Sequence, residues 1–170
     1  MITDNGSGRG IVKVDKYKIT ANQKEEDLLH DISNGLAIPY ESVESKNLWL
    51  NTGWNEILKL VTGESINHFN AANTRIGVGD SSTAASASQT DLQAATNKTY
   101  KTMEAGYPTA VSAQSVDLRA RFTSAEANYV WAEAVIKNVQ TGVCWDRVVD
   151  TFGTKTNTEI WYLTISIGMA

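Results

Sequence analysis

The sequence predicts a mainly β domain: an antiparallel β-sandwich or barrel with one or two short helices and an extended N-terminal arm. Three observations carry this. Residues 116–122 alternate cleanly, with Val116, Leu118, Ala120 and Phe122 on one face and Asp117, Arg119 and Arg121 on the other. That is the pattern of a strand with one side in a core and the other in water. Further short runs of β-branched and aromatic residues follow between Gly, Pro and Asn turns. Helical signals are concentrated in residues 21–70.

Residues 1–20 read as the arm. The first ten hold three glycines and no large apolar residue beyond Met1 and Ile2, too little to close a core. Residues 11–19 are rich in β-branched types, but Val12 and Val14 share a face with Lys16 and Lys18, as in a strand that pairs at an edge. Extended, twenty residues reach roughly 65 Å, at about 3.3 Å each. Ile11, Val12, Val14, Tyr17 and Ile19 are the arm's candidate assembly contacts, adding a strand to a neighbour's sheet.

Residues 21–170 read as one β-rich domain. A first helix opens at Asn22, carries Glu25, Glu26 and Asp27 in its first turn, and stops at Asn34-Gly35. A second covers about 52–62, where Trp54, Ile57, Leu58 and Val61 recur at helical spacing before Gly63. Trp49 and Trp54 load this region with aromatic surface, a core element or an interface anchor. Strands are expected at 74–79, 97–104, 116–122, 129–137, 143–149 and 160–167. Both faces of 129–137 are largely apolar, so this strand is central. The loop GDSSTAASASQT is long and polar, and residues 91–95 suit one helical turn.

Composition narrows the function. The chain has 170 residues and a net charge of -4, from 15 Lys plus Arg against 19 Asp plus Glu. No basic stripe is present to neutralise phosphates. No apolar run approaches a membrane span, and MITDNGSGRG lacks the apolar stretch of a signal peptide. Cys144 is the single cysteine and has no internal disulfide partner. With only His30 and His68 besides, no zinc site of standard ligands is expected. No cofactor, nucleic acid, membrane or small-molecule substrate is expected.

The chemical motifs are weak. Gly77-Val78-Gly79-Asp80-Ser81 lacks the Lys-Ser/Thr pair of a phosphate loop and the third glycine of a dinucleotide fingerprint. Neither histidine accompanies a GxSxG elbow. Cys144, between Val143 and Trp145, reads as a small buried thiol. Glu133 is the odd charge on the central strand. It is read as one half of a structural ion pair with Arg119, Arg121 or Arg147, not as an acid-base catalyst. No enzymatic activity is expected.

A resemblance adds to this reading. The run Phe69-Asn70-Ala71-Ala72-Asn73-Thr74-Arg75-Ile76-Gly77-Val78-Gly79-Asp80-Ser81-Ser82 is similar to a pattern in small virion proteins of tailed bacteriophages. Thr90-Asp91-Leu92-Gln93, a strand ending near Met103 and Tyr107-Pro108, and Gly153-Thr154-Lys155-Thr156 fall in the same order. Ala120-Arg121-Phe122 followed by Glu126-Ala127-Asn128-Tyr129-Val130-Trp131-Ala132-Glu133 resembles that family's A-x-F…E-A-N-F-x-W-x-E segment. Asn51-Thr52-Gly53-Trp54-Asn55-Glu56-Ile57 resembles its N-x-G-x-N helix start. The likeness spans about residues 50–170 and implies a virion structural protein with no catalytic residues, resembling capsid decoration (cement) proteins. The implied partners are the major capsid protein and copies of the chain itself, as a trimer on an icosahedral shell. The alternative is a tail, baseplate or connector component with a tail-fibre-like attachment domain. The fibre signature is not met, because Ala134-Val135-Ile136 follow Glu133.

Overall fold

The computed structural model describes residues 9–168. In chain order the elements are β1 (Arg9–Lys18), α1 (Glu25–Ser33), β2 (Glu41–Lys46), β3 (Leu48–Trp49), α2 (Asn51–Thr62), β4 (Thr74–Gly79), β5 (Lys98–Thr102), β6 (Ser115–Phe122), β7 (Val130–Asn138), β8 (Cys144–Thr154) and β9 (Glu159–Gly168). They form two antiparallel sheets, ordered β2-β1-β9-β6 and β3-β8-β7-β4-β5. The first is called sheet A and the second sheet B. Of the expected sandwich or barrel, the two sheets form the sandwich.

Alternation explains the core. Val12 and Val14 of β1, Leu118, Ala120 and Phe122 of β6, and Leu163, Ile165 and Ile167 of β9 point inward from sheet A. Ile76 and Val78 of β4, Ala134 and Ile136 of β7, and Val148 and Phe152 of β8 meet them from sheet B. Trp131 stands between Phe122 and Trp161, edge to face, at ring-centre distances of 4.7 and 4.8 Å, a geometry that adds roughly 0.5–1.5 kcal/mol per pair beyond burial. β7 is central, as its two apolar faces require.

Both outer faces are partly covered. On sheet A, Leu28 of α1 packs over Tyr17, Ile160 and Tyr162. On sheet B, Leu92 from the 80–97 loop packs over Leu50, Val135 and Cys144.

The N-terminal arm is corrected. Residues 1–8 lie outside the described residues. Residues 9–18 are no arm and no edge strand: β1 lies between β2 and β9 and pairs with β9 along its whole length, from Arg9↔Gly168 to Lys18↔Glu159. Val12 and Val14 are wholly buried. The misleading signal was Lys16, which points inward with the valines. Its ammonium lies 4.6 Å from the centre of the Trp161 ring and 2.9 Å from Glu41 at the rim. Cation–π contact and a rim carboxylate make an inward lysine tolerable.

Three local expectations also change. α1 starts after Lys24 with no side-chain cap, not at Asn22. Residues 91–95 form no helical turn, because the N–H groups of Gln93 and Ala94 are given to the Glu133 carboxylate. β2 and β3 were not foreseen: ESVESK carries one apolar residue in six, and β3 is two residues long.

Candidate interaction surface

Residue by residue, the structure separates the predicted contacts. Val12 and Val14 are core. Tyr17 is buried edge to face on Tyr162 at 5.8 Å, and Ile19 packs at the margin of that cluster. Of these arm residues, Ile11 alone is open to solvent, 48% exposed.

The two tryptophans come together. The rings of Trp49 and Trp54 lie 4.2 Å apart, and Trp145 stands edge-on to Trp49 at 5.6 Å. Phe69 completes the cluster, 5.0 Å from Trp145. Gly53 makes this packing possible. A Cβ there would sit 2.3 Å from the Trp145 carbonyl oxygen, so only glycine lets the first turn of α2 lie against β8. The indole N–H groups of Trp49 and Trp145 are buried without an acceptor among the described residues, a cost of about 1–3 kcal/mol each.

Beside the cluster is a groove of about 170 Å³, lined by Trp49, Trp54, Ile57, Val116, Trp145 and Ile167, with Val111 at its mouth. The apolar stripe of α2 runs outward from it. Trp54 and Ile57 are half-buried at the groove, while Leu58 is 57% and Val61 78% exposed. In the sequence these four are only a helical stripe, with Trp49 and Trp54 open between core element and interface anchor; the structure puts Trp49 in the core and Trp54 at its margin. The buried positions of α2 are Gly53 and Glu56, and the Glu56 carboxylate accepts the Ser65 hydroxyl at 2.5 Å. Close approach at Gly53 sets the helix so that Trp54 and Ile57 stay against the core while Leu58 and Val61 look outward. Leu58 and Val61 continue the stripe of Trp54 and Ile57 at i, i+3, i+4 and i+7 spacing, and their exposure extends the groove into a candidate docking face. Val111, Val116, Trp145 and Ile167 are groove residues that sequence spacing did not assign; Trp145, the aromatic neighbour of Cys144, was the one visible hint.

Glu133 takes Arg147 as its partner. Both are wholly buried; Arg147 Nε donates to Glu133 Oε2 at 2.8 Å, and Nη2 lies 2.8 Å from the same oxygen. Arg121 instead pairs with Glu104 at 3.3 Å, and the Arg119 guanidinium lies over the Tyr162 ring at 4.1 Å. The β7–β8 register selects Arg147, because it sits opposite Val135, two residues from Glu133 on the same face. Nearby, Asp91 accepts from Lys137, from Tyr100 at 2.5 Å and from the Leu92 N–H at 2.8 Å. Burial pushes the Asp91 carboxyl up, but these bonds outweigh it and hold it below the usual aspartate range. Burial raises the Cys144 thiol far above its ordinary value, so the thiolate is suppressed. His30 and His68 are exposed. Among the described residues no three His, Cys, Asp or Glu are grouped to hold a metal, and no helix is long and apolar enough to cross a membrane.

Fold and surface together define a two-sheet β-sandwich presenting one apolar, tryptophan-lined face. No protein-family model, curated protein or solved structure matches the chain.

Proposed function

We propose that this chain is a structural protein of a tailed-phage virion. On this reading it is a decoration protein that binds the outside of the capsid shell and bridges neighbouring capsomers. The observation that carries the reading is the outward apolar stripe of α2 beside the tryptophan groove, on a rigid sandwich. The ordered likeness of residues 50–170 to small virion proteins supplies the setting.

The occupant of the groove is an apolar ridge on the major shell protein. A four-residue stripe and one shallow groove fall short of the about 20–30 residues a side that a stable pairwise interface uses. Each contact is therefore weak alone, and several copies bound to one symmetric shell gain by avidity. This favours self-association, as a trimer, on the particle surface. Bridging falls to this face, because residues 9–18 are committed to sheet A. The protein needs no cofactor and performs no catalysis in this role.

Quantitative mass spectrometry of purified particles, scaled to the major shell protein, tests the proposal. Near-stoichiometric copy number is expected. A few copies per particle would move the protein to the tail, baseplate or connector, and absence from particles would overturn both structural readings.

A further inference from the structure

Asp146 is a buried acid without a cation. It lies in β8 opposite Ile136, on the core-facing side, and is 1% exposed. Its Oδ1 accepts the Ile136 N–H at 2.9 Å, at a point where the β7–β8 register shifts. Its Oδ2 accepts from Asn47 Nδ2. No ammonium or guanidinium lies within ion-pair distance among the described residues. The charged and titratable groups on the surrounding elements are committed elsewhere or point to solvent. Lys137 of β7 is bound to Asp91, and Arg147 of β8 to Glu133. Glu56 of α2 takes the Ser65 hydroxyl, Glu44 and Lys46 of β2 are exposed, and the Cys144 thiol stays protonated.

Asn47 occupies a special place. It is the one residue between β2 of sheet A and β3 of sheet B, where the chain passes from one sheet to the other. Its N–H donates to the Gly10 carbonyl of β1 at 3.2 Å. Its amide lies directly on Gly10, where an added Cβ would fall 1.8 Å from Oδ1. That Oδ1 is buried and has no donor among the described residues. A half-turn of the amide would bring it to the Asp146 carboxyl, which has a hydrogen to give only when protonated.

We propose that Asp146 and Asn47 form a proton-controlled latch between the two sheets. It is closed when the Asp146 carboxyl is protonated and donates to the Asn47 amide oxygen, and loosened when the carboxyl ionises. An ionised carboxylate here has only neutral N–H donors and no counter-charge, so it is driven toward water. Burial agrees with this, raising the Asp146 carboxyl to about 7 against the lowering effect of the Ile136 and Asn47 bonds. Trp49 pairs opposite Asp146 and Trp145 precedes it, so the latch lies at the base of the tryptophan groove. The inference is independent of the capsid reading.

The test uses the full chain with aspartate carboxyl carbons labelled. The Asp146 carboxyl signal is expected to titrate near neutrality. The Ile136 amide is expected to lose protection at least tenfold between pH 5.5 and 8.5, after correction for intrinsic exchange, and this loss should vanish in Asp146→Asn. Titration of Asp146 below pH 5 would overturn the latch, as would an Asp146→Asn protein that keeps the full pH dependence. If that variant does not fold, the carboxyl titration of the unaltered chain decides alone.

Discussion

Arg147 Nε meets Glu133 Oε2 at 2.8 Å with both side chains wholly buried, and the pair holds down a loop that has no secondary structure of its own. Glu133 accepts the N–H groups of Gln93 and Ala94 at 2.9 and 2.7 Å. Arg147 donates to Gln89 Oε1 at 2.8 Å and to the Thr83 carbonyl at 2.9 Å. The 80–97 loop is thereby fixed as a lid on the outer face of sheet B.

Glu133→Ala is expected to cost about 3–5 kcal/mol, because it leaves a buried guanidinium without its counter-charge. Replacing both residues by methionine, which often rescues buried ion pairs, should fail here, since the loop N–H groups would lose their acceptor. Chemical denaturation measures both variants. A double variant as stable as the unaltered protein would show that the loop is held by packing alone.

Deleting residues 1–18 is expected to prevent folding. It removes β1 from between β2 and β9, unpairs the edges of both, and takes Val12 and Val14 out of the core. Circular dichroism and one-dimensional NMR suffice, and a cooperative, dispersed spectrum from the truncated chain would contradict the observed topology.

The contrast between β1 and β6 shows what was legible. In β6 every inward residue is apolar, so alternation alone assigned strand and face. In β1 the inward set includes Lys16, made acceptable by Trp161 and Glu41, two residues far away in sequence. The outward turn of Leu58 and Val61 was hidden for a similar reason. Helical spacing identified the helix, but its rotation was set by the contact of Gly53 with the Trp145 carbonyl. Glu133 was readable as a paired charge, while the choice among three arginines depended on register. What sequence could not supply was, in each case, a long-range partner.

Lys155 gives a second pH signature. It is 1% exposed, and its ammonium donates to the Thr123 carbonyl at 2.6 Å and to Asn128 Oδ1 at 3.0 Å. Burial lowers it to about 8, against the raising fields of Glu159, Glu126 and Glu25. Between pH 8 and the unfolded lysine value of about 10.4 the unfolded chain holds more protons, so this group makes stability rise with pH there. Asp146 acts oppositely and lower. Its folded value of about 7 lies above the unfolded aspartate value of about 3.9. Its contribution is full below about pH 4 and is lost as pH rises to 7. The two together predict a stability minimum between pH 7 and 8. The raised Cys144 thiol would offset the alkaline rise above the unfolded cysteine value of about 8.5, so thermal melts from pH 5 to 9.5 in Cys144→Ala should show the minimum, and adding Lys155→Met should remove the rise. A flat profile in Cys144→Ala would refute both assignments.

Acid stability rests on a different set. Asp91, Glu126 and Glu159 are each pushed up by burial but held low overall by hydrogen bonds, from Lys137 and Tyr100, from Lys101 and Thr123, and from Tyr40 and Thr156. Their stabilisation is present above about pH 4.5 and lost as pH falls through their lowered folded values. Asp91→Asn should therefore reduce the loss of stability on acidification below pH 4, while lowering stability at pH 6. An unchanged acid limb in urea titrations would show that Asp91 is not among the groups that drive it.

The outward stripe of α2 separates folding from binding. Leu58 and Val61 contribute little to the core, since each is more than half exposed. Leu58→Glu with Val61→Glu is expected to change stability by no more than about 0.5 kcal/mol each, as for surface positions generally. The same change places two carboxylates on the face proposed to dock on the shell, where desolvating an unpaired charge opposes docking. Binding to shells lacking the protein, followed by sedimentation, should fall at least tenfold while the melting profile is kept. Trp54→Ala is the complementary probe, because Trp54 both lines the groove and stacks on Trp49; it should weaken binding and stability together. Full binding by the double glutamate variant would remove this face from the proposal and leave Ile11, beside the exposed β2 edge, as the next surface to alter.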